Sequence, residues 1–366
     1  MKKTQQILTL VLLLGFIAVF AVWFWISPDA DESTVERRHL VKCPTLSLSS
    51  IANGSFMNGF ENYMLDQFPL RNGFRTLKAV ANAKVFMQND NNGLYSVGEH
   101  LSKLDFPTDF DSIDRAAQRF RYVYDAYLRD NGTKTYLSVI PDKNVFIASP
   151  NGYPDKDYKA LVERLRSGFP EAKYIDISGL LSAEDFYYTD SHWRQERIPK
   201  VADEIADKLG AARIGQYEKH DTGVSFHGVY YGQSALPHAP ERFFYLENAV
   251  IRGLKVYNVE TSSDIPVYDL GAATGRDPYE MFLGGARSII RITNPNAANE
   301  RRLIIFRDSF GSSIAPLLAA GYSEITLVDI RYIAPSALGR LIDFTKADDA
   351  LFLYSASVIN NSETIK

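Results

Sequence analysis

Apolar positions change their spacing along this chain, and each change predicts a different element. From Ile7 to Ile26 they form a largely apolar run without a charge, ending in Val22-Trp23-Phe24-Trp25-Ile26. About twenty such residues suffice for a helix to cross a bilayer core. Further on, Phe56, Phe60, Met64 and Phe68 recur every four residues, which predicts one helix face stopped by Pro69. A second helical pattern covers roughly 73–87. A third runs from Asp111 or Ser112 to Asn131-Gly132, with Ile113, Ala117, Phe120, Tyr124 and Tyr127 on one face.

From residue 133 strand patterns appear. Residues 135–140 are a short β-branched and aromatic run ending at Pro141, 158–166 are helical, and 173–177 form a second short run. That is β-α-β at a spacing suited to a parallel crossover. Residues 198–209 predict an amphipathic helix, with Pro199 in its first turn and Gly210 at its stop. Residues 212–300 hold many Gly and Tyr, short alternating runs and few helical signals, and read as an irregular, partly β insertion. The pattern then returns to strand (303–306), helix (311–320), strand (325–328), helix (335–344) and strand (351–354). The predicted fold is α/β with a mainly parallel sheet. Chemistry in such folds sits outside the carboxyl ends of the strands.

Composition narrows the classes. The 366 residues carry 40 Lys+Arg against 44 Asp+Glu, so no net positive field attracts nucleic acid, and none is expected as a partner. Apolar residues at 46% exclude disorder as the main state. The one cysteine, Cys43, excludes an intramolecular disulfide, and Lys42 before it is poor for a lipidation site. Lys2 and Lys3 precede the apolar run while Asp29, Asp31 and Glu32 follow it, which puts the amino terminus in the cytoplasm and the rest outside. A cleaved signal peptide is the alternative to an uncleaved anchor, but its apolar region is usually shorter, and no small-x-small site follows cleanly. The expected organisation is a cytoplasmic tail (1–6), a transmembrane signal anchor (7–26), a juxtamembrane linker (27–55) and an extracytoplasmic domain (56–366) with its insertion at about 212–300. The expected location is the cell membrane, single-pass.

Four segments carry candidate chemistry. In Leu303-Ile304-Ile305-Phe306-Arg307-Asp308-Ser309-Phe310-Gly311-Ser312-Ser313 a strand runs into a helix, and Ser309 lies at the junction. A serine there points into the crevice, beside unpaired N–H groups able to stabilise an oxyanion. Asp and Ser are also favoured there simply as helix caps. In Phe186-Tyr187-Tyr188-Thr189-Asp190-Ser191-His192-Trp193, Asp190 and His192 share a face if the segment is extended. Asp190 then fixes the imidazole tautomer and leaves Nε2 to take a proton. A polar turn before a helix is a second reading, and a metal site completed by His220, His227 or His238 a third.

Arg331 and Tyr332 follow the strand next in sequence to that of Ser309 and reach the same rim if the two strands pair in parallel. Arg331 then binds an anionic or carbonyl oxygen, or simply pairs with Asp329. In Tyr279-Glu280-Met281-Phe282-Leu283-Gly284-Gly285, the glycines allow close backbone approach, so that Gly285 offers an N–H to an oxyanion or makes a plain turn. Tyr187, Tyr188, Trp193, Tyr230 and Tyr231 offer aromatic faces for sugar rings, or fill a core.

Taken in order, Thr189-Asp190-Ser191-His192-Trp193, the strand ending Asp308-Ser309-Phe310, and Val328-Asp329-Ile330-Arg331-Tyr332 resemble the DHHW family. Asp66-Gln67-Phe68-Pro69-Leu70-Arg71, Pro141-Asp142-Lys143 and Phe282-Leu283-Gly284-Gly285 add to the resemblance, which spans roughly 56–355. The family is related to the AlgX/AlgJ-type alginate O-acetylation proteins, which carry a permuted SGNH-hydrolase-like domain. The resemblance implies a three-layer sandwich and an Asp190–His192–Ser309 triad. Ser191 stands where the family's naming motif has its first histidine, and Arg307 where hydrolases often carry a Gly. The implied activity is acetyl transfer to, or removal from, an extracellular polysaccharide through an acyl-serine. A membrane-bound O-acyltransferase is the implied acetyl donor, with no cofactor or metal. An acetyl esterase with the same triad and a non-catalytic carbohydrate-binding scaffold are the alternatives.

Overall fold

The computed structural model of the chain describes residues 2–366, which divide into two compact units. The first holds the residues up to Asn92 together with Tyr231–Pro237. It begins with helix α1 (Lys2–Ile26), which is long and apolar enough to cross a membrane by length and composition. The predicted helices that follow are α2 (Ser55–Gln67) and α3 (Arg71–Lys84). The sequence pattern assigns these two to the domain beginning at 56. They group instead with α1, because their aromatic side chains pack on it: Phe24 meets Tyr63 of α2 at 5.4 Å and Phe20 meets Phe74 of α3 at 5.6 Å between ring centroids. The polar side of this unit is closed by ion pairs. Arg38 grips buried Asp66 with two bonds of 2.8 and 2.6 Å, and Glu36 pairs with Arg71 and Arg75.

The second unit (Gly93–Tyr230 and His238–Lys366) is built on an eight-stranded sheet. In chain order its elements are α4 (Phe110–Val123), β1 (Lys134–Ile140), α5 (Tyr158–Gly168), β2 (Lys173–Tyr174), α6 (Pro199–Leu209), β3 (Glu218–Phe226), β4 (Glu241–Glu247), β5 (Lys255–Asn258), β6 (Ser263–Ile265), β7 (Ile289–Thr293), β8 (Arg302–Arg307), α7 (Phe310–Ile314), β9 (Glu324–Val328) and β10 (Asp349–Ser355). The sheet order is β6-β5-β7-β9-β8-β10-β1-β2. The five strands from β9 to β2 are parallel and the other three antiparallel.

Side chains alternate across this sheet as strand geometry requires. Leu303 and Ile305 of β8 join one core with Val201, Ile205 and Leu209 of α6. Ile304 and Phe306 join the other, with Ile113, Phe120 and Leu165 of α4 and α5. The result is a three-layer α/β/α sandwich, mixed but mostly parallel, as expected.

Three elements differ from the sequence pattern. Residues 212–300 are not one insertion: β3 and β4 pair only with each other, but β5, β6 and β7 extend the main sheet, with Ile290 opposite Leu327 of β9. Strands of three to five residues carry too few alternations to be read as sheet. The predicted helix 311–320 is α7 followed by a tighter 3-10 stretch, Ala315–Gly321, in which Pro316 supplies no N–H. Residues 335–344 also wind mostly as a 3-10 helix, Pro335–Arg340.

Parallel pairing fixes where the crevice lies. Phe306 sits beside Val328 and Phe352, so β8, β9, β10 and β1 end along one rim. That rim receives Lys143, Ser309, Arg331 and Ser355, each within three residues of a strand end or at it.

Candidate active site

The segment that carries Asp190 and His192 is a tight loop rather than an extended run. Phe186 bridges Trp193 across it, and Tyr187 N–H donates to His192 C=O at 3.1 Å. The loop, not strand alternation, brings the two side chains together. Asp190 Oδ1 accepts from the His192 backbone N–H at 3.1 Å and lies 2.6 Å from Nδ1 of the same residue. Its Oδ2 accepts from Val229 N–H at 2.9 Å. Across the rim, His192 Nε2 lies 2.7 Å from Ser309 Oγ. Asp190 is fully buried, whereas His192 and Ser309 are part-exposed. A carboxylate on Nδ1 favours the tautomer in which Nε2 accepts the serine proton. Both ring nitrogens are thereby engaged.

The competing readings of these residues resolve locally. Ser309 precedes α7 but its hydroxyl caps nothing; Asp308 does that work, with Oδ1 accepting from Phe310 N–H at 3.1 Å and Oδ2 from Ser355 N–H at 2.7 Å. The later histidines lie elsewhere. His220 faces Glu218 and Glu247 on the β3–β4 pair, while ring nitrogens of His227 and His238 meet backbone carbonyls.

Three residues around the site have roles that the sequence did not give. Tyr279 stacks flat on His192, with centroids 3.8 Å apart and planes 12° apart, and Phe310 lies on the imidazole at 4.9 Å. Tyr279 is anchored by its hydroxyl, which donates to Ser313 Oγ at 2.8 Å. Burial pushes that phenol well above its usual range, so it stays a neutral donor. The segment holding Tyr279 drew attention for its glycines, and the aromatic gave no pattern of its own.

Gly228 is the second. A Cβ there would come 2.2 Å from the Thr189 carbonyl oxygen and 2.4 Å from Asp190 Cβ, so only glycine lets the 228–229 backbone reach the Asp190 carboxylate. Gly228→Ala should therefore push the loop away and lower stability by about 1–3 kcal/mol. Thermal melts check this, and an unchanged melting temperature would show that the loop is not held this way.

Lys143 is the third, and its Pro141-Asp142-Lys143 motif was visible. Its buried Nζ donates to the carbonyls of Tyr187, Tyr188 and Asp190 at 2.8, 2.9 and 2.9 Å. Glu241 holds the other side of the loop, accepting from the N–H groups of Tyr188 and Thr189. Burial pulls the Lys143 ammonium down from 10.5 to about 7. Between those values the unfolded chain keeps a proton that the folded chain has released, so stability rises with pH across the window and falls back as pH drops towards 7. The difference in unfolding free energy between the natural chain and Lys143→Met should thus grow in favour of the natural chain from about pH 7 to about pH 9. Parallel denaturation curves that keep a constant offset would contradict it.

Other predicted residues stand further out. Arg331 is bidentate to buried Asp329 through Nε and Nη2, at 2.9 and 2.7 Å; Arg307, wholly buried, lies 3.7 Å from the same carboxylate. Tyr332 is exposed at the rim. Gly285 adopts φ +76°, and a Cβ there would strike Glu280. Among the described residues none of these three makes a hydrogen bond or ring contact with His192 or Ser309. Trp193 has no exposed face for a sugar: it is fully buried, edge-on to Phe310, with Nε1 donating to Ser313 Oγ at 2.8 Å. Tyr187 is equally buried, whereas Tyr188 keeps part of its ring at the surface under the Arg194 guanidinium.

No protein-family description and no curated protein matches this chain. Solved structures do. A DHHW family protein from Eubacterium siraeum is 19% identical, covers 75% of this chain and 95% of its own, and superposes with a TM-score of 0.59. PatB1 of Bacillus cereus, solved with a sulfonyl adduct, is 17% identical, covers 73% of this chain and 97% of its own, with a TM-score of 0.58. The O-acetyltransferase domain of Pseudomonas putida AlgJ is 11% identical over 73% of this chain and 92% of its own, with a TM-score of 0.46. At these identities the first two establish a shared fold.

Proposed function

We propose that this chain is a membrane-anchored O-acetyltransferase acting outside the cytoplasmic membrane on a cell-surface or secreted polysaccharide, through an acyl-serine at Ser309. The observation that carries the reading is the unbroken relay from buried Asp190 through His192 to a part-exposed Ser309 hydroxyl. Ser309 Oγ attacks the acetyl carbonyl while His192 Nε2 takes the hydroxyl proton. Asp190 balances the imidazolium that forms, and Tyr279 and Phe310 keep its plane fixed. The leaving group departs with the proton from Nε2. A sugar hydroxyl then attacks the acetyl-serine, gives its proton to Nε2, and releases Ser309 with its hydroxyl restored.

Acetyl-CoA is cytoplasmic, so the acetyl group must be handed across the membrane. A membrane-bound O-acyltransferase is the proposed donor, and α1 keeps the chain at the membrane beside it. The partial exposure of Ser309 favours a second reading at the same site, an acetyl esterase in which water takes the acyl group.

The test is to incubate the full-length protein with p-nitrophenyl acetate and locate the acetyl group by mass. Acetyl on Ser309, absent in His192→Ala, is the expected result. Faster release on adding polysaccharide marks a transferase, and release indifferent to polysaccharide an esterase. Neither adduct nor turnover would leave a non-catalytic scaffold.

A further inference from the structure

In the first unit, α3 has a face that, Phe74 apart, is left largely open among the described residues. Leu70, Phe74, Leu77, Ala81 and Val85 fall at helical spacing along one side. Leu70 is 59% exposed and Leu77 65%, and Phe86 and Met87 continue the surface beyond the helix. Arg71, Arg75, Lys78 and Lys84 flank this stripe, and α3 carries no acidic residue. Lys78 and Lys84 form no ion pair among the described residues. A cavity of about 560 Å³ opens at the same place, with Leu65, Phe68 and Phe74 as its apolar wall; on its polar edge Arg71 and Arg75 are paired with Glu36, and Lys78 is the cation left over.

The depth of this surface follows from α1. Phe20 packs on Phe68 at 5.5 Å and on Phe74 at 5.6 Å. Phe20 lies six residues before Ile26, which is about 9 Å of helix. If α1 spans the bilayer, as the proposed function has it, those ring contacts hold the start of α3 beside the last two turns of the span, at the outer edge of the hydrocarbon core. Exposed apolar side chains with flanking cations are what an interfacial helix presents to anionic lipid.

We propose that α3 is a second membrane contact, lying at the outer boundary between acyl chains and headgroups with Leu70, Leu77 and Phe86 among the acyl chains, and Lys78 and Lys84 on the phosphates of anionic phospholipid. The inference rests on α1 being a membrane span and adds to it a lipid-binding surface. It gives the chain two attachments, so the linker after α1 is not the only element that holds it at the membrane.

The test uses the full-length protein with Cys43→Ser and one new cysteine at a time, labelled with an environment-sensitive fluorophore, in vesicles of phosphatidylcholine with phosphatidylglycerol. A label at Leu77→Cys should be quenched by shallow nitroxide lipids, a label at Val11→Cys by deep ones, and a label at Lys159→Cys, on the exposed side of α5, by neither. Lys78→Glu with Lys84→Glu should lower the preference for phosphatidylglycerol over phosphatidylcholine by roughly tenfold. Quenching at Val11 but not at Leu77 overturns the inference and leaves the anchor standing. Quenching at neither overturns the anchor as well. A Leu77 label shielded from both lipid nitroxide and aqueous iodide means that a protein covers the face, and this too overturns the inference.

Discussion

Ser309→Ala should abolish the covalent intermediate and reduce acetyl-ester turnover by roughly four orders of magnitude or more, the scale seen when a hydroxyl nucleophile is removed from such a relay. The geometry behind this is specific. The Ser309 Oγ stands 2.7 Å from Nε2, and among the described residues no other hydroxyl makes a hydrogen bond to that nitrogen. Ser312 and Ser313 are nearby in sequence but buried, and Ser313 Oγ is already shared by Trp193 and Tyr279. They cannot take over. Because Ser309 caps no backbone N–H, its loss should leave thermal stability nearly unchanged. A variant that melts normally yet still forms an acetyl adduct, or still turns over within tenfold of the natural chain, would end the enzymatic reading.

Asp190→Asn should cost about 10³–10⁴ in kcat while the fold is retained. The carboxylate serves three donors on two sides at once: Oδ1 meets the His192 backbone N–H and Nδ1, and Oδ2 meets Val229 N–H. An amide can satisfy only one side. With its oxygen towards His192, its NH₂ confronts the Val229 N–H and the loop is pushed back. With its oxygen towards Val229, its NH₂ confronts Nδ1–H and drives the imidazole into the wrong tautomer. In either orientation the negative charge that balances the imidazolium is gone. Steady-state kinetics beside a thermal melt decide the matter. Turnover within tenfold of the natural chain would show that Asp190 is a structural turn residue and nothing more.

Both variants act on contacts that the sequence specified unequally. The Asp190–His192 pairing is local, two residues apart, and needs only a turn to form. Its spacing was enough to expect it, although the turn geometry was not. Ser309 is 117 positions beyond His192, and their approach depends on β8 lying in the middle of a parallel sheet whose strands end together. Lys143 was visible as a motif after a strand, but its reach to three carbonyls of another loop was not. Gly228 and Tyr279 carried no signal, because a glycine's close approach and an aromatic's stacking partner are properties of what lies opposite. Arg331 and Trp193 show the converse. A rim arginine and a loop tryptophan suggest ligands in a sequence; the structure pairs the arginine with Asp329, the alternative its spacing had offered, and buries the tryptophan in the core.

By itself the sequence determined what rests on neighbours along the chain: the apolar run of α1, the amphipathic faces of α2, α4 and α6, the strands of β8 and β10, and the Asp-x-His pairing. These follow from hydrophobic periodicity and short-range hydrogen bonding, which act within a few residues. Tertiary structure alone decided that β5, β6 and β7 join the main sheet, that α2 and α3 pack on α1, and that a hydroxyl meets an imidazole across the rim. Those outcomes come from packing and pairing between distant segments. A short strand or a lone polar residue holds no information about its partner until the chain has folded around it.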